Sequence, residues 1–397
     1  MQARGSIVAS AFLLGFALSG CGTSATGQAD PGSGEFDPPD LKMQQDVGKG
    51  EGQLNVLAWP GYAEDGSTNP KVDWVSSFEK QTGCQTNVKV FGTSDEAVNL
   101  MQTGEYDVVS ASGDASLRLI AAGDVEPVNT DLVSTYKDIA PFLKDRAWNT
   151  VDGVNYGIPH GWGANLLMWR KDIIKQPPTS WGAVFDSKAP YAGKITAYDS
   201  PIYIADAALY LMKHQPELGI KDPYALDQKQ LQAAQDLLEK QNQAVGEYWS
   251  DYLKEIQSFK TGSTVIGTTW QVIANLAKVS APVGVTLPTE GATGWSDTWM
   301  VGSESEHPNC DYMWLNHITS PQVQAQVAEY FGEAPANTKA CSYTTDPKHC
   351  QVYHAEDAKY ASKIHYWTTP ISQCLDGRKV QCTDYADWTE AWTEIKG

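Results

Sequence analysis

A chain of 397 residues exceeds what one hydrophobic core organises and points to about two domains. With 48 Asp and Glu against 29 Lys and Arg, its formal charge is −19, which disfavours nucleic acid or an anionic surface as partner and permits a cationic one. No internal repeat or long low-complexity tract interrupts it.

The N-terminus reads as an export signal. Arg4 precedes an apolar run from Ile7 to Leu18, too short for a finished membrane span, which ends in Leu18-Ser19-Gly20-Cys21. This resembles a bacterial lipoprotein signal, which implies removal of residues 1–20 and a diacylglycerol on the Cys21 thiol. The protein would then be exported and held by lipid at the outer face of the cytoplasmic membrane. An ordinary secretory leader containing a Cys is the other reading. Residues 21–53, rich in Gly, Ser, Asp and Pro, read as a flexible tether.

Six cysteines remain: Cys84, Cys310, Cys341, Cys350, Cys374 and Cys382. An even number in an oxidising compartment points to three disulfides. Fifteen pairings can be drawn; Cys341 with Cys350 and Cys374 with Cys382 would close short loops, leaving Cys84 for Cys310. Zinc is the rival, with His349 beside Cys350, but Cys-x-x-Cys spacing is missing.

From Leu54 the elements alternate. A strand over 54–59 ends at Pro60-Gly61; a helix carrying Trp74, Val75 and Phe78 stops at Gly83; a strand covers 87–91. A helix opened by Ser94 carries Val98 and Met101 to Gly104, then a strand over 106–111 reaches the turn Ser112-Gly113-Asp114 and a helix ending at Gly123. Such alternation predicts parallel strands with crossover helices, an α/β fold whose ligands sit beyond the carboxyl ends of the strands. Trp59 and the Ser112-Gly113-Asp114 turn fall at those ends; a packed indole and a helix cap are their structural alternatives.

Ile158-Pro159-His160-Gly161-Trp162-Gly163 breaks the pattern and reads as a domain crossing before a strand over 164–169. A second α/β stretch follows: a strand over 194–198, the turn Asp199-Ser200-Pro201, a helix over 203–212, and a helix with Leu231, Ala234 and Leu238. A β-branched run over 264–269 delivers Trp270, and residues 282–287 lead to a long strand in which Trp295, Asp297 and Trp299 share one face. A buried carboxylate between indoles needs a partner, and an ammonium suits both groups. A sheet-edge strand with packed tryptophans and a solvated Asp is the plain alternative. Helices over 311–318 and 321–331 follow, and near the end Trp388 and Trp392 form one helical stripe suited to packing.

This order of pieces resembles the extracytoplasmic solute-binding proteins of ABC importers, most closely the spermidine/putrescine-binding branch, from Leu54 onward. Ala58-Trp59-Pro60-Gly61-Tyr62 is similar to the family's Asn-Trp-x-x-Tyr element, which implies ligand-lining roles for Trp59 and Tyr62. Residues 108–114 are similar to its Val-Val-Pro-Ser-Thr-Tyr element, which implies a role for Ser112, with Asp114 standing for a tyrosine. Glu290-Gly291 followed by Trp295-Ser296-Asp297 resembles the element whose aspartate grips an amine, so Asp297 takes that role beside Trp295. Trp270 matches a family Trp, and Gly332-Glu333-Ala334-Pro335-Ala336-Asn337 puts Glu333 where the family has a site tyrosine. Of the family's acidic pair in the second lobe, only Asp199 is present, with Tyr203 opposite the second acid; its late glutamine has no counterpart.

The resemblance implies a two-lobed periplasmic-binding-protein fold of type II. Lobe 1 would comprise residues 54–161 and 298–335, and lobe 2 residues 162–297 and 336–397, closing on a small cationic ligand, a polyamine. It further implies a monomer that docks on an ABC permease, meets the membrane only through its lipid and binds no nucleic acid. No cofactor, metal or catalytic residue is assigned. The chain has no Gly-x-x-x-x-Gly-Lys loop, Gly-x-Ser-x-Gly elbow or His-Glu-x-x-His pair, so an exported enzyme ranks low. A quaternary-ammonium receptor is the main alternative; a ferric-ion receptor would want an adjacent tyrosine pair at a strand end.

Overall fold

A computed structural model of the protein describes residues 36–186 and 190–397. The leader and Cys21 lie outside the described residues. Three parallel strands open the body: β1 (Gln53–Ala58), β2 (Gln85–Val90) and β3 (Val108–Ala111), with α1 (Val75–Thr82) and α2 (Ser94–Met101) as crossovers. Gly83 ends α1 in the left-handed conformation that glycine adopts without a Cβ penalty. Thr93, not Ser94, caps α2, which frees the Ser94 hydroxyl for Asp114 on α3 (Gly113–Ala122).

The strand read from Ala164 begins earlier, at Ile158, and His160 is skipped in its pairing with the strand over residues 292–302. β4 runs unbroken from Ile158 to Arg170. Its glycines serve close approach instead: a Cβ on Gly161 would enter the Glu333 carboxylate, and one on Gly163 would meet the Trp295 ring. The second stretch supplies β5 (Ile195–Tyr198), α4 (Ile204–His214), α5 (Gln228–Asn242) and β7 (Ile266–Trp270), together with β6 (Val245–Trp249), α6 (Tyr252–Thr261) and α7 (Gln271–Ala277), which the sequence pattern did not single out. β8 (Val283–Thr286) and β9 (Ala292–Gly302) bring the chain back. α8 (Pro308–Ile318), α9 (Pro321–Phe331), β10 (Ile364–Tyr366) and α10 (Tyr385–Lys396) complete it.

Strands run in the order β2-β1-β3-β9-β4-β7-β5-β6, with β8 also on β4 and β10 on β9. β9 and β4 are antiparallel partners at the centre, and β4 passes from β9 at its start to β7 and β8 at its end. One apolar core gathers Leu54, Val56, Phe78, Trp299 and Trp314; another gathers Leu167, Ile195, Leu231, Trp388 and Trp392. Each such buried side chain contributes about 1.5–3 kcal/mol. The β9–β4 register shifts between Asp297 and Thr298, and the two indoles flanking Asp297 part company, Trp299 packing on Trp314 in the first core and Trp295 entering the second. All three side chains nevertheless keep one face, because the residue skipped in the pairing is His160 on β4: Trp299 lies 5.7 Å from the His160 ring, which packs on Tyr62, the partner of Asp297.

Disulfides join Cys84 to Cys310, Cys341 to Cys350 and Cys374 to Cys382. Residues 36–52, expected as loose tether, lack regular structure but are laid along the body: Phe36 N–H donates to Gln373, Gly48 N–H to Asn309, and Glu51 accepts from the Cys310 and Asn309 N–H groups. Among the described residues no helix is long and apolar enough to cross a membrane.

Candidate ligand-binding site

Asp297 sits mid-strand on β9, 4% exposed, where a charge must be satisfied locally. Ser112 Oγ, at the carboxyl end of β3, donates to its Oδ1 at 2.6 Å; the Tyr62 hydroxyl lies 2.7 Å from its Oδ2. The same hydroxyl lies 2.9 Å from Glu333 Oε2. Ser112 in turn accepts from the Trp59 indole N–H at 3.2 Å. Trp59, Tyr62, Ser112, Asp297 and Glu333, scattered through the sequence, thus form one hydrogen-bonded group.

One hydroxyl proton cannot serve two carboxylates at once. Burial pushes Asp297 up to about 6, against the lowering pull of Ser112 and Tyr62. Burial, then the Asp297 charge, push Glu333 well above the usual carboxylate range, with Tyr62 opposing. Of the two acids, Glu333 is therefore the one pushed further towards its protonated form, and Asp297 the one that ionises more readily. His160 supplies no counter-charge: its Nε2 is 3.6 Å from Glu333 Oε1, beyond hydrogen-bond range, and burial depresses it to about 3, so it is neutral. An ammonium would give this group the positive charge that none of Ser112, Tyr62 and His160 brings.

Asp114 stands two residues beyond Ser112 and accepts from Ser94 Oγ at 3.0 Å; burial raises it to about 6, with Ser94 and Arg118 opposing. Burial first, then the charges of Asp114 and Asp297, push the Tyr198 phenol up. Tyr198 anchors an aromatic wall. Its ring stacks on Trp367 at 5.6 Å and neighbours Trp270 at 5.8 Å and Trp249 at 5.0 Å, and Trp270 lies 6.1 Å from Trp295. Sequence reasoning named Trp270 and Trp295 but missed Tyr198 and Trp367. Tyr198 ends a strand, the signal already used for Trp59; Trp367 follows a three-residue strand in a stretch without periodicity.

Asp199 is placed otherwise. Its Oδ1 accepts from Lys396 Nζ at 2.6 Å and lies 3.4 Å from the Trp392 indole N–H, so α10 already neutralises it. A narrow space of about 10 Å³, about one water probe, adjoins Trp295 and Glu333. A wider groove of about 500 Å³ opens beside Trp148, Tyr224, His365 and Tyr366.

A family model of bacterial extracellular solute-binding proteins matches residues 73–350. The putrescine/agmatine-binding protein of Pseudomonas aeruginosa is 22% identical over 284 residues, 66% of this chain and 74% of that one. The putrescine-binding periplasmic protein PotF of Escherichia coli is 24% identical over 307 residues, 72% of this chain and 78% of its own. A putative spermidine/putrescine transporter structure from Listeria monocytogenes superposes with a TM-score of 0.70 at 17% identity, covering 87% of this chain and 99% of the other.

Proposed function

The chain belongs to the bacterial extracellular solute-binding proteins, and we propose that it captures a protonated amine of the polyamine class between two lobes and delivers it to an ABC permease. The observation that carries this is the buried Asp297 carboxylate, held by Ser112 and Tyr62, without a cationic partner and beside an aromatic wall. An ammonium displacing the inward side of that group makes charge-assisted hydrogen bonds of about 1.5–3 kcal/mol each. Trp270 and Trp295 add ~0.5–2 kcal/mol each by cation–π contact or packing on methylenes. The lobes are those bounded at 161/162, 297/298 and 335/336, which separate to admit ligand. Lipid on Cys21 keeps the protein at the membrane where the permease resides.

The test is the melting temperature of the full chain with putrescine, spermidine, choline or a neutral sugar at micromolar concentration. The reading expects a rise with the polyamines; a rise with the sugar alone ends it. One observation favours a second reading, a quaternary-ammonium receptor: with Asp199 tied to Lys396, the second half faces the site with rings rather than acids. Choline would then outperform spermidine, and Asp297→Asn would weaken binding only mildly.

A further inference from the structure

Glu333 reaches the Tyr62 hydroxyl from the turn between α9 and the short bridge Ala334–Pro335, so its place is not set by a strand alone. We propose that His349 is a positioning residue for the binding site: held by the Cys341–Cys350 disulfide, it grips the Glu333 backbone and sets where that carboxylate meets an incoming amine. The proposal rests on the amine reading above.

α9 ends at Phe331, and Gly332 turns the chain in the left-handed conformation. Glu333 N–H still donates to the Ala328 carbonyl of α9, and Ala334 and Pro335 then pair with Trp162 and Gly161 of β4. The Glu333 carbonyl is what His349 takes, its Nε2 lying 2.8 Å from that oxygen. A carbonyl only accepts, so the imidazole carries a proton on Nε2 and donates it. His349 is buried, and burial holds it below the ordinary histidine value against the pull of that carbonyl. The ring is therefore neutral at pH 7, and its grip is a hydrogen bond between buried groups.

With Cys350 taken up by a disulfide, His349 has this partner in place of zinc. The bridge joins Cys350 to Cys341, nine positions back. The turn that carries Cys341 is itself tied down: Ala340 N–H donates to the Asn337 carbonyl, and Asn337 N–H donates to Gln324 Oε1 on α9 at 2.7 Å. His349 is thus anchored to the helix from which Glu333 emerges. On its other side the ring packs on Tyr353 at 4.5 Å, whose hydroxyl accepts from Asn275 Nδ2 at 3.0 Å on α7, the helix that follows Trp270. A Cβ on Gly332 would meet that same hydroxyl. Residues 349–353 therefore link the turn bearing Glu333 to the helix behind Trp270. A polar group in a binding site must be held within roughly 0.5 Å of its working position, and loss of the imidazole frees residue 333 to move.

Calorimetric titration of the full chain with spermidine tests this. Glu333→Ala should weaken binding. His349→Ala should weaken it by about three- to tenfold, whereas His349→Gln, whose amide N–H can reach the same carbonyl, should keep most of the affinity. His349→Phe keeps a ring on Tyr353 without the donor and replaces the alanine variant should that not fold. In the Glu333→Ala background, removing the imidazole should change affinity no further, because its effect passes through Glu333. Wild-type affinity in His349→Ala or His349→Phe, equal losses with and without a donor at 349, or losses that simply add in the double variant overturn the positioning role and spare the amine reading. Failure of spermidine to bind the wild type removes the amine reading, and this proposal with it.

Discussion

Asp297 and Asp114 are each pushed from the ordinary aspartate range up to about 6, and that displacement has opposite consequences for stability and for binding. An acid whose folded value is raised holds its proton in the native state after the unfolded chain has released it. The contribution of these two acids to ligand-free stability is therefore fully present below the ordinary aspartate value and is lost as pH rises through about 6. Ammonium binding needs the ionised form, so amine affinity should fall as pH drops through about 6. Chemical denaturation and calorimetry across that window should show the two slopes opposed; parallel slopes would contradict the assignment of Asp297. Tyr62 is the second residue-scale test. Tyr62→Phe removes the hydroxyl lodged between Asp297 Oδ2 and Glu333 Oε2, leaves a buried carboxylate oxygen without its donor, and should cost about 1–3 kcal/mol in urea unfolding. A loss near zero would mean that the hydroxyl bridges nothing of consequence.

At the level of elements, the two glycines of β4 are what let Glu333 and Trp295 lie flat against the central strands. Gly161→Ala should displace the Glu333 carboxylate and destabilise the protein by about 1–3 kcal/mol, the usual cost of overpacking. The Cys84–Cys310 bridge ties the segment between α1 and β2 to α8 across 226 positions of sequence, so replacing both cysteines by alanine should cost about 2–4 kcal/mol. The alternation of strands and helices up to Gly123 was legible because β-branched runs and glycine stops act locally. The same held for α5, α8, α9 and the Trp388–Trp392 stripe. The start of β4 was read late, at Ala164 and not Ile158, because the sequence displays its glycines and proline but not the side chains that those glycines admit. Trp59 and Ser112 stood out by position at strand ends, whereas Glu333 was reached only through the resemblance of residues 332–337 to a family element. Asp199 drew attention by the same logic, yet its partner Lys396 lies 197 positions away, and no local pattern announces such a pairing.

For the whole molecule, the mixed α/β type II periplasmic-binding-protein fold explains why a carboxylate can be both buried and usable. The central strands β4 and β9 belong to both halves of the sheet, and Asp297 lies on the segment they share. Trp367, whose backbone oxygen lies where a Cβ on Gly113 would go, brings the C-terminal region against the start of α3. Gly113→Ala should therefore hold the halves apart. Small-angle X-ray scattering with saturating spermidine should find this variant more extended than the wild type, and equal dimensions would contradict closure across that contact. The claim beneath all of this is that Asp297 receives a protonated amine. Isothermal titration of the full chain and of Asp297→Asn with spermidine tests it most directly. The account predicts saturable binding weakened by at least about tenfold in the variant. Equal affinity in both proteins would contradict it.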